Sequence, residues 1–171
     1  MKKVTILLVC FMTLVTLILA GCGGAQKAAA PSNDTVPPDI KAIKDRGVLK
    51  VGVKVDVPKF GFKNLQTGQV EGMEIDLTKA IAKKILGDDK KFEVQGVTAK
   101  TRGPLLDNGE VDLVIATFTI TEERKQSYNF SDPYFTDGVA LMVKKSSGIQ
   151  SLKDLAGKKI GVAQSATSKK A

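Results

Sequence analysis

The residues of this chain best equipped for chemistry are cations and hydroxyls able to hold an anion. Arg124 closes the run Thr119-Ile120-Thr121-Glu122-Glu123-Arg124, in which threonines lead into a helix start. A guanidinium there offers a planar, bidentate fork to a carboxylate, Thr119 adds a hydroxyl, and free backbone N–H groups at a helix start favour negative charge. The same run also reads as an N-terminal cap followed by a surface arginine. Other chemistry is narrowed by what is missing. The chain has no histidine, which excludes Ser-His-Asp and Cys-His nucleophile pairs and any His-ligated metal. Its two cysteines, Cys10 and Cys22, both lie within the first 22 residues, so neither a disulfide framework nor a zinc ribbon is available. No cofactor is implied.

These residues need a scaffold, and the pattern from Asp39 onward supplies one. Pro38-Asp39 opens a helical turn that Gly47 ends, and Val48–Val53 follows as an apolar strand. Phe60–Leu65 and Gln69–Glu71 flank Gln66-Thr67-Gly68, a hairpin signal. Glu74–Leu86 reads as a helix with Leu77, Ala80, Ile81 and Ile85 on one face and Gly87 as its stop. Phe92–Val97 is a strand, Thr101–Asn108 a short helix closed by Gly109, and Val111–Ala116 a continuous apolar run suited to a buried parallel strand. Val139–Val143 reads as another strand. The unit then restarts with a helical turn at Ser151–Leu155, a strand at Lys159–Val162 and a helix start at Gln164–Thr167. Alternating βαβ units predict an α/β fold with a mostly parallel sheet.

Composition sets the class. At 171 residues, 43% hydrophobic and 26% charged, the chain is long enough for one modest domain and part of another. Its net charge of +8 does not mark a nucleic-acid face, because residues 22–143 hold 17 Lys/Arg against 17 Asp/Glu. The excess lies at the ends: Lys2 and Lys3, and seven lysines after position 143 against Asp154 alone. Lys2-Lys3 and the 17 apolar-rich residues Val4–Ala20 make the charged and hydrophobic regions of an export signal. That run falls short of the roughly 20 residues of a permanent span. Leu19-Ala20-Gly21-Cys22 resembles the lipobox of bacterial lipoproteins, which implies that Cys22 is lipidated and becomes the new N-terminus. Residues 23–38 hold almost no large apolar side chain and read as a flexible tether.

Four segments carry a family resemblance: Leu49–Pro58, Gly72–Lys84, Val111–Arg124 and Asn129–Tyr134. In order and spacing they resemble the extracellular solute-binding proteins of polar amino-acid ABC importers. The resemblance implies a periplasmic-binding-protein type II fold, a two-lobed clamp that closes on a free amino acid and delivers it to a membrane permease. It places lobe 1 at 39–143 and the start of lobe 2 at 144–171, a C-terminally truncated second lobe. Amino-acid binding about a hundred-fold weaker than in a complete homologue is the consequence expected of that truncation.

The same resemblance distributes the site. Arg124 takes the ligand's α-carboxylate, with Thr117 and Thr119 adding hydroxyls. Ala99–Leu106 is similar to the pocket loop of the aspartate- and glutamate-binding branch, in which an arginine at the place of Arg102 meets the distal carboxylate. Lys54 falls where that branch also sets a cation. Two cations without a matching acid in these motifs suit glutamate or aspartate; glutamine or another polar amino acid is the alternative. Phe60 either covers the ligand's aliphatic part or belongs to the core. Thr167 marks the second-lobe contact, although Ser165-Ala166 departs from the family's usual Gly-Thr pair. Asp112 fixes the entry to its strand, and the aromatics Tyr128, Phe130, Tyr134 and Phe135 read as packing. A dehydratase on the same fold would need Glu or Asp as its general acid. The partners implied are a free amino acid, the permease and, through the lipid, the membrane; nucleic acid is excluded. Replacing Cys22 with Ser should release the protein from the membrane fraction or leave its signal uncleaved. Normal processing and anchoring of that variant would overturn the lipoprotein reading.

Overall fold

The computed structural model describes residues 36–170. The export signal, Cys22 and residues 23–35 of the expected tether lie outside them. Helix α1 (Pro38–Arg46) opens behind Pro37 with proline in its first turn and ends at Gly47, which adopts the left-handed cap at φ 76°. Strand β1 (Leu49–Val53) follows directly. Its Leu49, Val51 and Val53 are fully buried and, at a period of two, share one face. There they meet Ile43 of α1, Ile75 and Ala82 of helix α2 (Met73–Leu86) and Ile115 of strand β6 (Leu113–Ile115). Full burial of each such side chain contributes about 1.5–3 kcal/mol, so this face is the principal stabiliser of the unit.

Gly52 points to the other face, where an added Cβ would sit 3.2 Å from Val97 and 3.3 Å from Val114. β1 is the centre of a parallel sheet of order β5-β1-β6, where β5 is Phe92–Gly96. Val51 and Val53 pair with Val94 and Gly96 on one side and with Leu113 and Ile115 on the other. The chain crosses from β1 to β5 by way of α2. It then returns across β1 to β6 by way of helix α3 (Arg102–Asp107). Right-handed crossovers in opposite directions put α2 and α3 on opposite faces of the sheet. Asp112 locks the β6 entry as expected: its N–H donates to Lys50 O at 2.8 Å, and its carboxylate accepts the Lys50 N–H at 2.8 Å and pairs with Arg46.

A second, antiparallel sheet joins β2 (Asp56–Val57), β3 (Gly61–Lys63) and β4 (Val70–Glu71). Its β2–β3 turn caps α2 in place of a side chain. Lys59 O and Phe60 O accept the Met73 and Glu74 N–H groups at 2.8 and 3.0 Å. That approach requires Gly72, whose φ is 127° and whose Cβ, were there one, would lie 2.3 Å from Phe60 O.

The structure departs from the expected elements after Ile115. Val139–Val143 and Lys159–Val162 form no strand, and single turns occupy Glu122–Lys125 (α4), Lys145–Ser147, Leu152–Leu155 and Thr167–Lys169. A strand exists only where a neighbour answers its N–H and C=O groups. Among the described residues nothing pairs with these two, and Val139, Met142, Ile160 and Val162 are exposed. On α2 the buried face is Glu74, Ile75, Thr78 and Ala82, while Ala80, expected inside, is exposed. Replacing Gly72 with Ala should cost about 2–4 kcal/mol through strain at positive φ and the clash with Phe60 O. Urea unfolding checks this, and a cost below about 1 kcal/mol would show that the cap can shift.

Candidate functional site

In open α/β sheets, ligands bind beyond the carboxyl ends of the strands, where the strand order reverses. Lys54 follows β1 directly, Val97 and Thr98 follow β5, and Ala116 and Thr117 follow β6. Thr98 and Thr101 exchange side-chain bonds that open α3, with Thr98 N–H to Thr101 Oγ1 at 3.0 Å and Thr101 N–H to Thr98 Oγ1 at 3.2 Å. Arg102 is thereby aimed at the end of β6. It is buried, and its Nη1 donates to Ala116 O at 2.8 Å and Thr117 O at 3.1 Å, while its Nε has no partner.

The arginine faces an acid that sequence reasoning passed over. Glu74, in the first turn of α2, is fully buried. Its Oε1 accepts the Thr117 N–H at 2.6 Å and the Tyr134 hydroxyl at 2.7 Å, and its Oε2 is unpartnered. Thr117 itself holds a left-handed φ of 46°. Burial pushes the Glu74 carboxyl above its ordinary value, against the Tyr134 and Thr117 hydrogen bonds and the charges of Lys54 and Arg102. Burial, and then the charge of Arg124, pull Arg102 down to about 10. Tyr134 is pushed up, chiefly by burial and next by the Glu74 hydrogen bond. The signal for Glu74 was present in the sequence: positions 74, 78 and 82 form one stripe of the α2 helix, and its last member is a buried alanine.

Lys54 is not a free cation. Its ammonium pairs with Asp56 at 2.8 Å and reaches Val97 O at 3.5 Å. The sequence reading found no matching acid for Lys54 and Arg102; the fold supplies Asp56 to the first and sets Glu74 near the second. Arg124, like Arg102, bonds carbonyl oxygens, Thr119 O at 2.7 Å and Ser165 O at 2.9 Å, but it is only half-buried. Thr121 caps α4 by accepting the Arg124 N–H at 3.2 Å, so the cap and the aimed arginine coexist. At four residues, α4 is too short for a sizeable dipole.

Phe118 joins the two arginines. Their guanidinium carbons lie 4.0 Å (Arg102) and 4.8 Å (Arg124) from its ring centroid, and Tyr128 and Phe130 pack on it at 5.7 and 5.4 Å. Thr117 and Thr119 are exposed beside them. Thr167 opens the turn after Ser165, and Lys170 pairs with Glu123 of α4 at 2.5 Å. Phe60 is half-buried, edge-on to Phe135 at 5.0 Å. Arg102, Thr117, Thr119 and Arg124 thus gather around Phe118 and the end of β6. The Phe60 carbonyl reaches the same place through the Glu74 N–H, and among the described residues Thr167 makes no side-chain hydrogen bond to them. A separate depression bounded by Lys79, Asp89, Lys90 and Phe92 contains none of them. No cluster of acids or cysteines suited to a metal occurs among the described residues, and no helix there is long and apolar enough to cross a membrane.

Residues 49–170 match the family model described as bacterial extracellular solute-binding proteins, family 3. The chain is 49% identical over 160 residues to a glutamine-binding protein of Geobacillus stearothermophilus, covering 90% of this chain and 61% of that protein. It is 45% identical over 153 residues to an ABC transporter glutamine-binding protein of Bacillus subtilis (strain 168), covering 89% and 56%. Among solved structures, a cysteine-binding protein from Campylobacter jejuni superposes with a TM-score of 0.60 at 35% identity, over 68% of this chain and 46% of that one. A point mutant of the arginine-bound form of domain 1 from TmArgBP superposes at 0.52 and 40% identity, over 56% and 71%. The chain thus spans about three fifths of the length of the glutamine-binding relatives.

A carboxyl whose pKa is raised in the folded state stays protonated there at pH values where the unfolded chain has ionised. Stability should therefore fall as pH rises from about 4.5 through the raised Glu74 value. Thermal melts of wild type and Glu74→Gln across pH 4–8 check this. The variant should lose that part of the slope, and identical slopes would place the titration elsewhere.

Proposed function

Because the chain belongs to the bacterial extracellular solute-binding proteins of family 3, we propose that it captures an amino acid for an ABC importer and that its ligand is glutamine. The fold is that of the family, α/β of the periplasmic-binding type II kind. The relatives named above are solute-binding proteins rather than enzymes, and the dehydratase alternative falls with them.

The observation that carries the ligand is charge balance. Lys54 is paired with Asp56, and Arg102 is buried with Glu74 acting on it, so Arg124 is the accessible guanidinium of the site. One such cation suits one carboxylate. In this reading the ligand's α-carboxylate replaces Thr119 O and Ser165 O on Arg124, the Thr117 and Thr119 hydroxyls add donors, and Phe60 covers the aliphatic chain. Thr167 closes the carboxylate from the other side. An uncharged carboxamide then needs no second cation, in keeping with two relatives named for glutamine. This reading takes up the glutamine alternative in place of the acidic ligand first expected from the sequence. One observation favours that second reading: Arg102 Nε is buried without a partner, and a distal carboxylate would supply one.

The same proposal carries the cellular layout. Residues 1–22 direct export, Cys22 is lipidated, 23–38 tether lobe 1 (39–143), and the second lobe begins at 144. The permease partner and the outer membrane face follow from it. Calorimetry with glutamine, glutamate and aspartate tests the ligand. Glutamine should bind most tightly, and Arg124→Met should weaken it about ten-fold or more, since a charged hydrogen bond contributes about 1.5–3 kcal/mol. Tighter binding of glutamate, abolished by Arg102→Met, would establish the acidic reading instead.

A further inference from the structure

Thr117 is the joint on which the candidate site turns. Its φ of 46° lies in a region that β-branched residues avoid, so something outside the residue must hold it there. Two buried side chains grip that one peptide segment. Glu74 Oε1 accepts the Thr117 N–H at 2.6 Å, and Arg102 Nη1 donates to the carbonyls on either side of it, Ala116 O at 2.8 Å and Thr117 O at 3.1 Å. Glu74 is itself immobilised. Its own N–H is held by Phe60 O at 3.0 Å, Tyr134 donates to the same Oε1 at 2.7 Å, and the carboxylate is wholly excluded from water.

Thr119 and Arg124 follow within seven residues, and both are anchored to the segment that leaves this joint. We propose that Glu74 is a positioning residue for ligand capture: by locking the Thr117 amide, it fixes the direction in which Thr117, Thr119 and Arg124 present their donors to a ligand carboxylate. The inference rests on the amino-acid-binding reading above. It assigns a function to a carboxylate that touches no ligand.

The test uses wild type, E74Q, E74A, T117G and E74A combined with T117G. Each is titrated with glutamine by calorimetry and followed, without ligand, by hydrogen exchange of the Thr117 amide. Glutamine at position 74 keeps an acceptor oxygen, so E74Q should bind within about three-fold of wild type with the amide still protected. E74A should lose that protection and weaken binding about ten-fold or more while its far-UV circular dichroism is unchanged. Glycine adopts positive φ without strain, so E74A should cost less affinity in the T117G background, which by itself gives up the Thr117 hydroxyl, than it does in wild type. Where E74A does not fold, E74D replaces it, with its carboxylate one methylene short of the amide and the same pattern expected. Wild-type affinity in the alanine variant, or an E74A loss as large in the T117G background as in wild type, overturns the proposal. If wild type binds no amino acid, the binding reading fails separately. Protection at Thr117 across the variants then still decides whether Glu74 sets the joint: equal protection in wild type and E74A overturns it.

Discussion

A carboxylate without access to water must be answered by donors, and Glu74 imposes that demand on this fold. It stands in the first turn of α2, whose start is capped by the Lys59 and Phe60 carbonyls of the small antiparallel sheet. Its Oε1 takes the amide at the end of β6 and the hydroxyl of Tyr134, sixty residues further along the chain. Three separate pieces of sequence therefore meet at one oxygen atom, and a fourth holds the start of the helix that carries it. Removing the acid would leave Arg102 buried with two carbonyls and no nearby negative charge, and breaking such arrangements is far costlier than their net stabilisation suggests.

The site inherits its geometry from that convergence. Two kinds of contact hold Arg102: hydrogen bonds to two carbonyls and the face of Phe118. A charged hydrogen bond contributes about 1.5–3 kcal/mol and a desolvated cation–π contact about 2 kcal/mol, so carbonyls and ring hold the buried guanidinium with comparable strength. Phe118 is also a spacer. It brings the second guanidinium to the first, and the repulsion between them is part of what draws Arg102 down in pKa. Arg124 stays half-buried beside that ring, where carbonyl oxygens occupy its fork.

Residues beyond Asp137 are held differently. They are largely exposed, and they reach the sheet domain through the bond from Arg124 to Ser165 O and the pair of Lys170 with Glu123. An exposed ion pair of the second kind contributes about 0–1 kcal/mol, so this region belongs to the low-stability end of the structure. Its turns are nevertheless locally specified. Ser151 and Asp154 close a capping box around the turn at Leu152–Leu155 without help from any neighbour.

That contrast separates what the sequence determined from what the tertiary structure decided. Local rules sufficed where one residue type answers its own neighbours. Gly47 and Gly87 stop their helices in the left-handed conformation, Asp112 guards its strand entry, and the apolar runs at 49–53 and 113–115 become buried parallel strands. The same rules failed where a residue's state depends on a partner far along the chain. Val139–Val143 has the composition of a strand and no strand beside it, because pairing is a property of two segments. Lys54 and Arg102 read as free cations, because nothing in their own motifs shows Asp56 folding back or Glu74 arriving from another helix. Arg124 was singled out by the threonines before it together with the four-segment resemblance. The surroundings of the other two cations were not legible, since a charge inside a protein takes its meaning from what the fold places within a few ångströms of it.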